Sequence, residues 1–119
     1  TDDGSDLTPA LAKALNGKGW TPVILRFCGI SAFDNSKRKA ICKETAVIQL
    51  SSSAETELQS TLKSFAGKHG SFGGFIHLHP VARSSSETKL EDDANAFLKQ
   101  AFLTAKNICP ALCESAQSG

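Results

Sequence analysis

The chain has no methionine and no tyrosine in 119 residues, and only one tryptophan. It has no apolar run approaching the ~20 residues that a membrane span needs, and no secretory apolar segment. It also lacks a dominant charge: 13 Lys and Arg stand against 12 Asp and Glu, for a formal net charge of +1. Each absence excludes something. Without a phenol, no mechanism that uses tyrosine as proton donor can run inside this stretch. Without net charge, there is no electrostatic reason to expect nucleic acid or an anionic membrane as partner. The missing methionine leads to the expectation of a processed form, or an interior piece of a longer protein. The length suits one domain, residues 1–119, with enough buried surface for a core.

The four cysteines contain no C-x-x-C pair and fall short of the density of disulfide scaffolds. Cys109 and Cys113 lie four apart in a helical stretch and so share a face, a poor geometry for a bridge. They read as free thiols of a cytoplasmic protein.

What is there alternates between two periodicities. Ser5 to Lys18 reads as a helix: Leu7, Leu11, Ala14 and Leu15 form a stripe. Thr8 before Pro9 suits its cap, with Ser5 or Asp6 as earlier alternatives, and Gly17 and Gly19 end it. Pro22 to Phe27 is a short β-branched run that reads as a buried strand ending near Arg26. Cys28 to Glu44 is polar and irregular, with a basic cluster Lys37-Arg38-Lys39 that reads as a solvated loop.

Thr45 to Leu50 is a second strand, and Ser51 to Ser53 offer caps for a helix with Glu55 and Glu57 in its first turn. Leu58, Leu62, Phe65 and Ala66 make its apolar face, with Gly67 and Gly70 as stops. Gly73 to Pro80 reads as a third strand, and Arg83 to Thr88 as a loop. A long helix is predicted from about Glu91 to Ser115, with Ala94, Phe97, Leu98, Ala101, Phe102, Ala105 and Ile108 inward, and Pro110 either kinking it or beginning a new turn. Short apolar strands alternating with amphipathic helices point to an α/β fold with a parallel sheet. A helix-first, helix-last order leaves the outer helices without a strand to cross from or to, which again leads to the expectation of an interior piece.

Candidate chemistry is sparse. The first turn, Thr1 to Thr8, sits where a dinucleotide fold places its phosphate loop, but it holds one glycine and three acids, Asp2, Asp3 and Asp6. Those acids suit a helix N-terminus and repel a phosphate. His77 and His79 alternate on the expected strand and so point to one face, yet a metal needs three or four ligands, and His69 is the only other histidine. They read as partly buried histidines hydrogen-bonded to neighbours. There is no G-x-S-x-G elbow, P-loop or H-E-x-x-H. No catalytic, cofactor-binding or metal-binding residue is assigned.

The stretches from Thr1-Asp2-Asp3-Gly4 through Phe27, and from Gly73 through Ala111 (GGFIHLHPVA, then AFLKQAFLTAKNICPAL), resemble the ketoreductase region of the polyketide-synthase-like polyunsaturated fatty acid synthases. In such ketoreductases a truncated structural half accompanies a catalytic half that binds NADPH and carries Ser, Tyr and Lys. The resemblance is to the structural half, and it covers most of the chain apart from Cys28 to Glu44. It implies a truncated Rossmann-like three-layer sandwich with a parallel sheet of about three strands in this piece. It also implies a non-catalytic role supporting reduction of carrier-protein-bound β-ketoacyl chains.

The implied partners are the catalytic ketoreductase half, neighbouring synthase domains and an acyl carrier protein. NADPH is expected only in the catalytic half. The glycines of a catalytic half would stand at Asp2, Asp6 and Thr8, and its Tyr-x-x-x-Lys has no tyrosine to use. Two alternatives remain open. One is an NAD(P)-binding module of a short-chain dehydrogenase. The other is a free-standing flavodoxin-like or receiver-like interaction domain, whose phosphorylatable strand-end Asp has no clear counterpart, Asp34 lying well into a loop.

Overall fold

The computed structural model describes residues 1–27, 45–79 and 87–118. The elements run α1 (Leu7–Gly17), β1 (Val23–Arg26), β2 (Ala46–Gln49), α2 (Glu55–His69) and α3 (Glu87–Ser118). The basic cluster Lys37-Arg38-Lys39, Asp34, Cys28, Cys42 and Pro80 lie outside the described residues.

The two expected strands form and pair in parallel, with Val23 opposite Ala46 and Arg26 opposite Gln49. Leu50 N–H extends the ladder to the Arg26 carbonyl at 3.0 Å. Alternate packing needs explain their character: Ile24 and Leu25 are buried, whereas Val47 on β2 is exposed. The apolar core gathers Leu25 and Phe27 from the β1 region, Leu50 after β2, Leu58 and Leu62 from α2, and Phe97, Leu103 and Ile108 from α3.

Among the described residues, neither the expected third strand nor the three-layer sandwich is formed. The parallel sheet has two strands among the described residues, and residues 73–79 join no ladder. The reason lies in pairing rather than propensity. Gly73 and Gly74 offer no side chains to pack against a neighbour. Among the described residues, the backbone hydrogen bonds of the stretch after them go to Thr1: its amino group donates to the Ile76 carbonyl at 2.7 Å, and Leu78 N–H donates to the Thr1 hydroxyl at 3.2 Å rather than to a carbonyl. The other edge of β1 is met by Asp2, whose N–H donates to the Leu25 carbonyl at 3.0 Å. Among the described residues, a two-stranded parallel sheet with three helices therefore stands in place of the expected Rossmann-like three-layer sandwich.

Residues 70–79 are held by packing instead. Phe72 and Phe75 lie against the core, and the Trp20 ring lies over Gly73, where an added Cβ would come within 3.2 Å of Trp20 Cζ3. Ser115 on α3 donates to the Phe72 carbonyl at 3.3 Å.

The helices differ from expectation mainly at their ends. α1 begins after Asp6, one of the two earlier cap positions, rather than after Thr8, and ends at Gly17, with Gly19 in the left-handed region at φ 82°. α2 runs through Gly67 and stops at Gly70, φ 91°. α3 begins at Glu87, so Glu87 and Thr88 belong to the helix rather than to the expected loop, whose residues 83–86 lie outside the described residues, and it continues through Pro110. Its face is also rotated from expectation. Phe97, Ala101 and Ile108 are inward as predicted, but Leu98 and Phe102 are 61% and 67% exposed, while Gln100, Leu103 and Thr104 are buried.

The N-cap of α2 is Ala54, with no side-chain cap bond, so the serine run does not cap the helix as expected; it bonds Glu57 in the first turn instead. Its carboxylate accepts from the Ser51 N–H and hydroxyl, each at 2.7 Å, and from the Ser52 hydroxyl. These bonds, Ser52 first and then Ser51, hold the Glu57 carboxyl down to about 2, against an ordinary 4.5. A depressed carboxyl contributes stability that is complete above pH 4.5 and disappears as pH falls toward 2. Glu57→Gln should therefore flatten the decline of unfolding free energy across that window, measured by urea titration at successive pH values. An unchanged slope would remove these serine bonds from the account of acid stability.

Candidate functional site

The region where a dinucleotide fold would place a phosphate is the turn entering α1, beside the carboxyl end of β1. It can be built up one bond at a time. Asp2 is buried and Arg26 half-buried, and Arg26 Nε donates to Asp2 Oδ2 at 2.6 Å. The other oxygen, Asp2 Oδ1, accepts from Gly4 N–H at 2.8 Å. Asp3 Oδ1 accepts from Ser5 N–H at 3.0 Å and from the Thr8 hydroxyl at 2.7 Å, and Asp3 Oδ2 from the Ser5 hydroxyl at 2.6 Å. Asp3 N–H in turn donates to Thr8 Oγ1 at 3.3 Å, and Leu7 N–H to Ser5 Oγ at 3.1 Å.

These are side-chain turns of the kind that Asp and Ser make at helix entrances. Their result is that the backbone N–H groups of Asp3, Gly4, Ser5 and Leu7 are each taken by a side chain of the same turn. Partial burial pulls the Asp3 carboxyl up, but the hydrogen bonds from Ser5 and Thr8 outweigh it and hold the group below its usual value. The turn thus carries ionised carboxylates where an anionic ligand would need free donors.

The histidine pair sits nearby. His77 Nδ1 lies 2.9 Å from Thr1 Oγ1. Both His77 and His79 rest against the Phe97 ring, with centroids 4.9 and 5.6 Å away, and their own rings are 6.0 Å apart. Burial first, then the adjacent amino terminus and His79, push the His77 ring below its ordinary pKa. Its buried Nε2 has no hydrogen-bond partner, so only one of its two nitrogens is bonded to a neighbour. Both rings touch Phe97, but not through the expected strand alternation, since residues 73–79 form no strand, and only His77 is partly buried while His79 is exposed. His69 lies elsewhere, stacked on Phe65 at 4.3 Å. Among the described residues, no group of three or more His, Cys, Asp or Glu side chains gathers to hold a metal.

A cleft of about 720 Å³ opens between α1, β1, α2 and residues 70–78. Leu11, Leu15, Trp20, Ile24, Phe65 and Phe72 are among the residues that line it, and His69 reaches its wall. Such a lining suits apolar groups. The sequence signals behind it were the apolar faces of α1 and α2, but their convergence on residues 70–78 follows from Trp20 meeting Gly73, which no local pattern announces. The Asp2–Arg26 pair was equally hidden: its one trace is an arginine inside an otherwise apolar run, Val23-Ile24-Leu25-Arg26-Phe27.

The thiols of Cys109 and Cys113 are both exposed on α3. A side-chain hydrogen bond to Cys109 raises the Cys113 thiol above its ordinary pKa, with the charge of Cys109 adding to it.

No protein-family model, curated protein or solved structure matches this chain. Among the described residues, no helix is long and apolar enough to cross a membrane.

Proposed function

We propose that this chain is a non-catalytic part of an NADPH-dependent β-ketoacyl ketoreductase in a polyketide-type polyunsaturated fatty acid synthase. It supports a catalytic half located elsewhere and the reduction of carrier-protein-bound chains. The reading rests on the sequence resemblance. The observation that carries its non-catalytic part is the self-occupied turn at α1: four backbone donors are bonded to the turn's own Asp2, Asp3, Ser5 and Thr8. A pyrophosphate would have to displace those bonds and sit against two carboxylates, and like charges in a partly desolvated turn cost on the order of several kcal/mol at 4 Å. NADPH then belongs to the catalytic half.

Two measurements test this. Titration of the chain with NADPH, followed by nicotinamide fluorescence or calorimetry, should give no saturable binding. Binding in the micromolar range would favour the alternative of an NAD(P)-binding module. Addition of this chain to a ketoreductase catalytic half prepared without it should raise the rate of β-ketoacyl reduction. No gain in rate or in solubility of that half would sink the scaffold assignment.

A further inference from the structure

The backbone nitrogens of Thr1 and Asp2 bond in opposite directions. Asp2 N–H donates to the Leu25 carbonyl on β1 at 3.0 Å, and the Thr1 nitrogen donates to the Ile76 carbonyl at 2.7 Å. Successive residues of a strand address its two neighbours in this alternating way. Thr1 and Asp2 thus hold one end of a line that runs between β1 and residues 73–78, and the cleft of about 720 Å³ lies along the rest of it. We propose that this cleft takes an extended apolar peptide segment of another polypeptide, lying parallel to β1 and ending against Thr1. The inference stands apart from the ketoreductase reading and does not depend on it.

The backbone of the two walls selects a peptide. In a parallel pair each residue turns its N–H and C=O to one side, and neighbours along the strand alternate. The Arg26 carbonyl accepts from Leu50 N–H, so Ile24 and Arg26 face β2. The Leu25 carbonyl accepts from Asp2, so Val23 and Leu25 face the cleft. Val23 N–H, Val23 C=O and Leu25 N–H make no hydrogen bond among the described residues. On the facing wall, the Ile76 carbonyl and Leu78 N–H both meet Thr1. Gly74 C=O and Ile76 N–H come before them in the same alternation and make no hydrogen bond among the described residues. An aliphatic ligand in the cleft would leave these groups unpaired and cut off from water, whereas a peptide backbone satisfies them.

The two bonds already made by Thr1 and Asp2 fix the register. The last residue of the peptide donates its N–H to the Val23 carbonyl, and its carboxyl group accepts from Leu25 N–H. The residue before it donates to the Gly74 carbonyl and accepts from Ile76 N–H. A free carboxylate at that end also faces the Thr1 ammonium, which favours this direction over the reverse. The side chains of the cleft set the composition of its guest. Leu11 and Leu15 of α1, Trp20, Leu62 and Phe65 of α2, and Ile108 of α3 all line it. A strand walled by such residues is apolar on both faces and is best made of Val and Ile.

The test uses the whole 119-residue chain and the synthetic peptide acetyl-Lys-Lys-Val-Ile-Val-Val with a free carboxylate, its lysines kept outside the cleft for solubility. The expected result is saturable binding of one peptide per chain, with Trp20 emission moving to shorter wavelength because Trp20 lines the cleft. In hydrogen exchange followed by NMR, the Leu25 and Ile76 amides should slow at least about tenfold. The Val47 and Gln49 amides, on the outer edge of β2, should not change. N-methylation of the last Val removes the donor to Val23 and should weaken binding at least about tenfold, whereas N-methylation of the first Lys should not. Leu11→Lys, shown by circular dichroism to be folded, should weaken binding as well. Equal binding of the peptide methylated at its last Val would mean that the cleft reads apolar surface alone. Slowed exchange at Val47 and Gln49 instead would place the peptide on the outer edge of β2. Either result, or no saturable binding at millimolar peptide, would overturn the proposal.

Discussion

Phe97→Ala is expected to remove about 3–5 kcal/mol of folding free energy, the range for deleting a fully buried aromatic ring. Phe97 is 0% exposed. It meets Phe27 edge to face at 5.6 Å and receives the rings of His77 and His79 on its other contacts. It is therefore the point where α3, the end of β1 and residues 70–79 come together. Its loss opens a cavity that three separate chain segments would have to close. A domain of this size carries about 5–15 kcal/mol in total, so the variant stands close to unfolding at room temperature. Urea denaturation followed by circular dichroism measures the loss. Phe97→Leu, which keeps most of the volume, should cost much less. A cost below about 1 kcal/mol for the alanine variant would mean that the core does not converge on this ring.

Arg26→Met should cost about 2–3 kcal/mol at neutral pH. The substitution keeps the apolar stem and removes the guanidinium, leaving the 5% exposed Asp2 carboxylate without it. Breaking a fully buried pair costs about 3–5 kcal/mol. The arginine side chain is 21% exposed, so solvent moderates the effect and the lower figure applies. Adding Asp2→Asn to Arg26→Met should recover part of the loss, because the buried charge that has lost its guanidinium is removed as well. The four proteins of this double-mutant cycle give the coupling directly. A coupling energy near zero would make the 2.6 Å contact a surface pairing of no structural weight.

How much of this was legible follows from the range over which each feature is decided. α1, α2 and the two strands show in the sequence because their signals are local. Leu58 and Leu62 repeat at helical spacing, and Val23-Ile24-Leu25 and Ala46-Val47-Ile48 are short apolar runs bounded by breakers. The expected third strand carries the same kind of signal in Phe75-Ile76-His77-Leu78. A strand is completed by a neighbour's backbone, however, and Thr1 supplies one donor and a hydroxyl where a ladder needs alternating donors and acceptors. The three-layer sandwich failed with it.

On α3 the apolar residues spread around more than half of the helix. Periodicity could not say whether Phe97 or Phe102 turns inward, and the choice falls to Phe27 and the two histidines on one side. The acids at the α1 entrance were legible as helix-favouring charges. Their individual bonds were not, since Asp2 meets an arginine 24 positions away. The serines before α2 offer caps for the helix's N–H groups. Instead Ser51 and Ser52 donate to Glu57, a reversal that leaves the same helix end fixed.

The contact of Trp20 with Gly73 also makes the molecule optically self-reporting. This indole is the chain's sole strong fluorophore, with no tyrosine to feed or obscure it. Half of it faces solvent while one edge lies over the Gly73 backbone. Its emission therefore tracks whether residues 70–79 are seated against the helix-and-strand body. Partial lifting of that stretch would register as a spectral shift at a single address, well before the helices lose their dichroism.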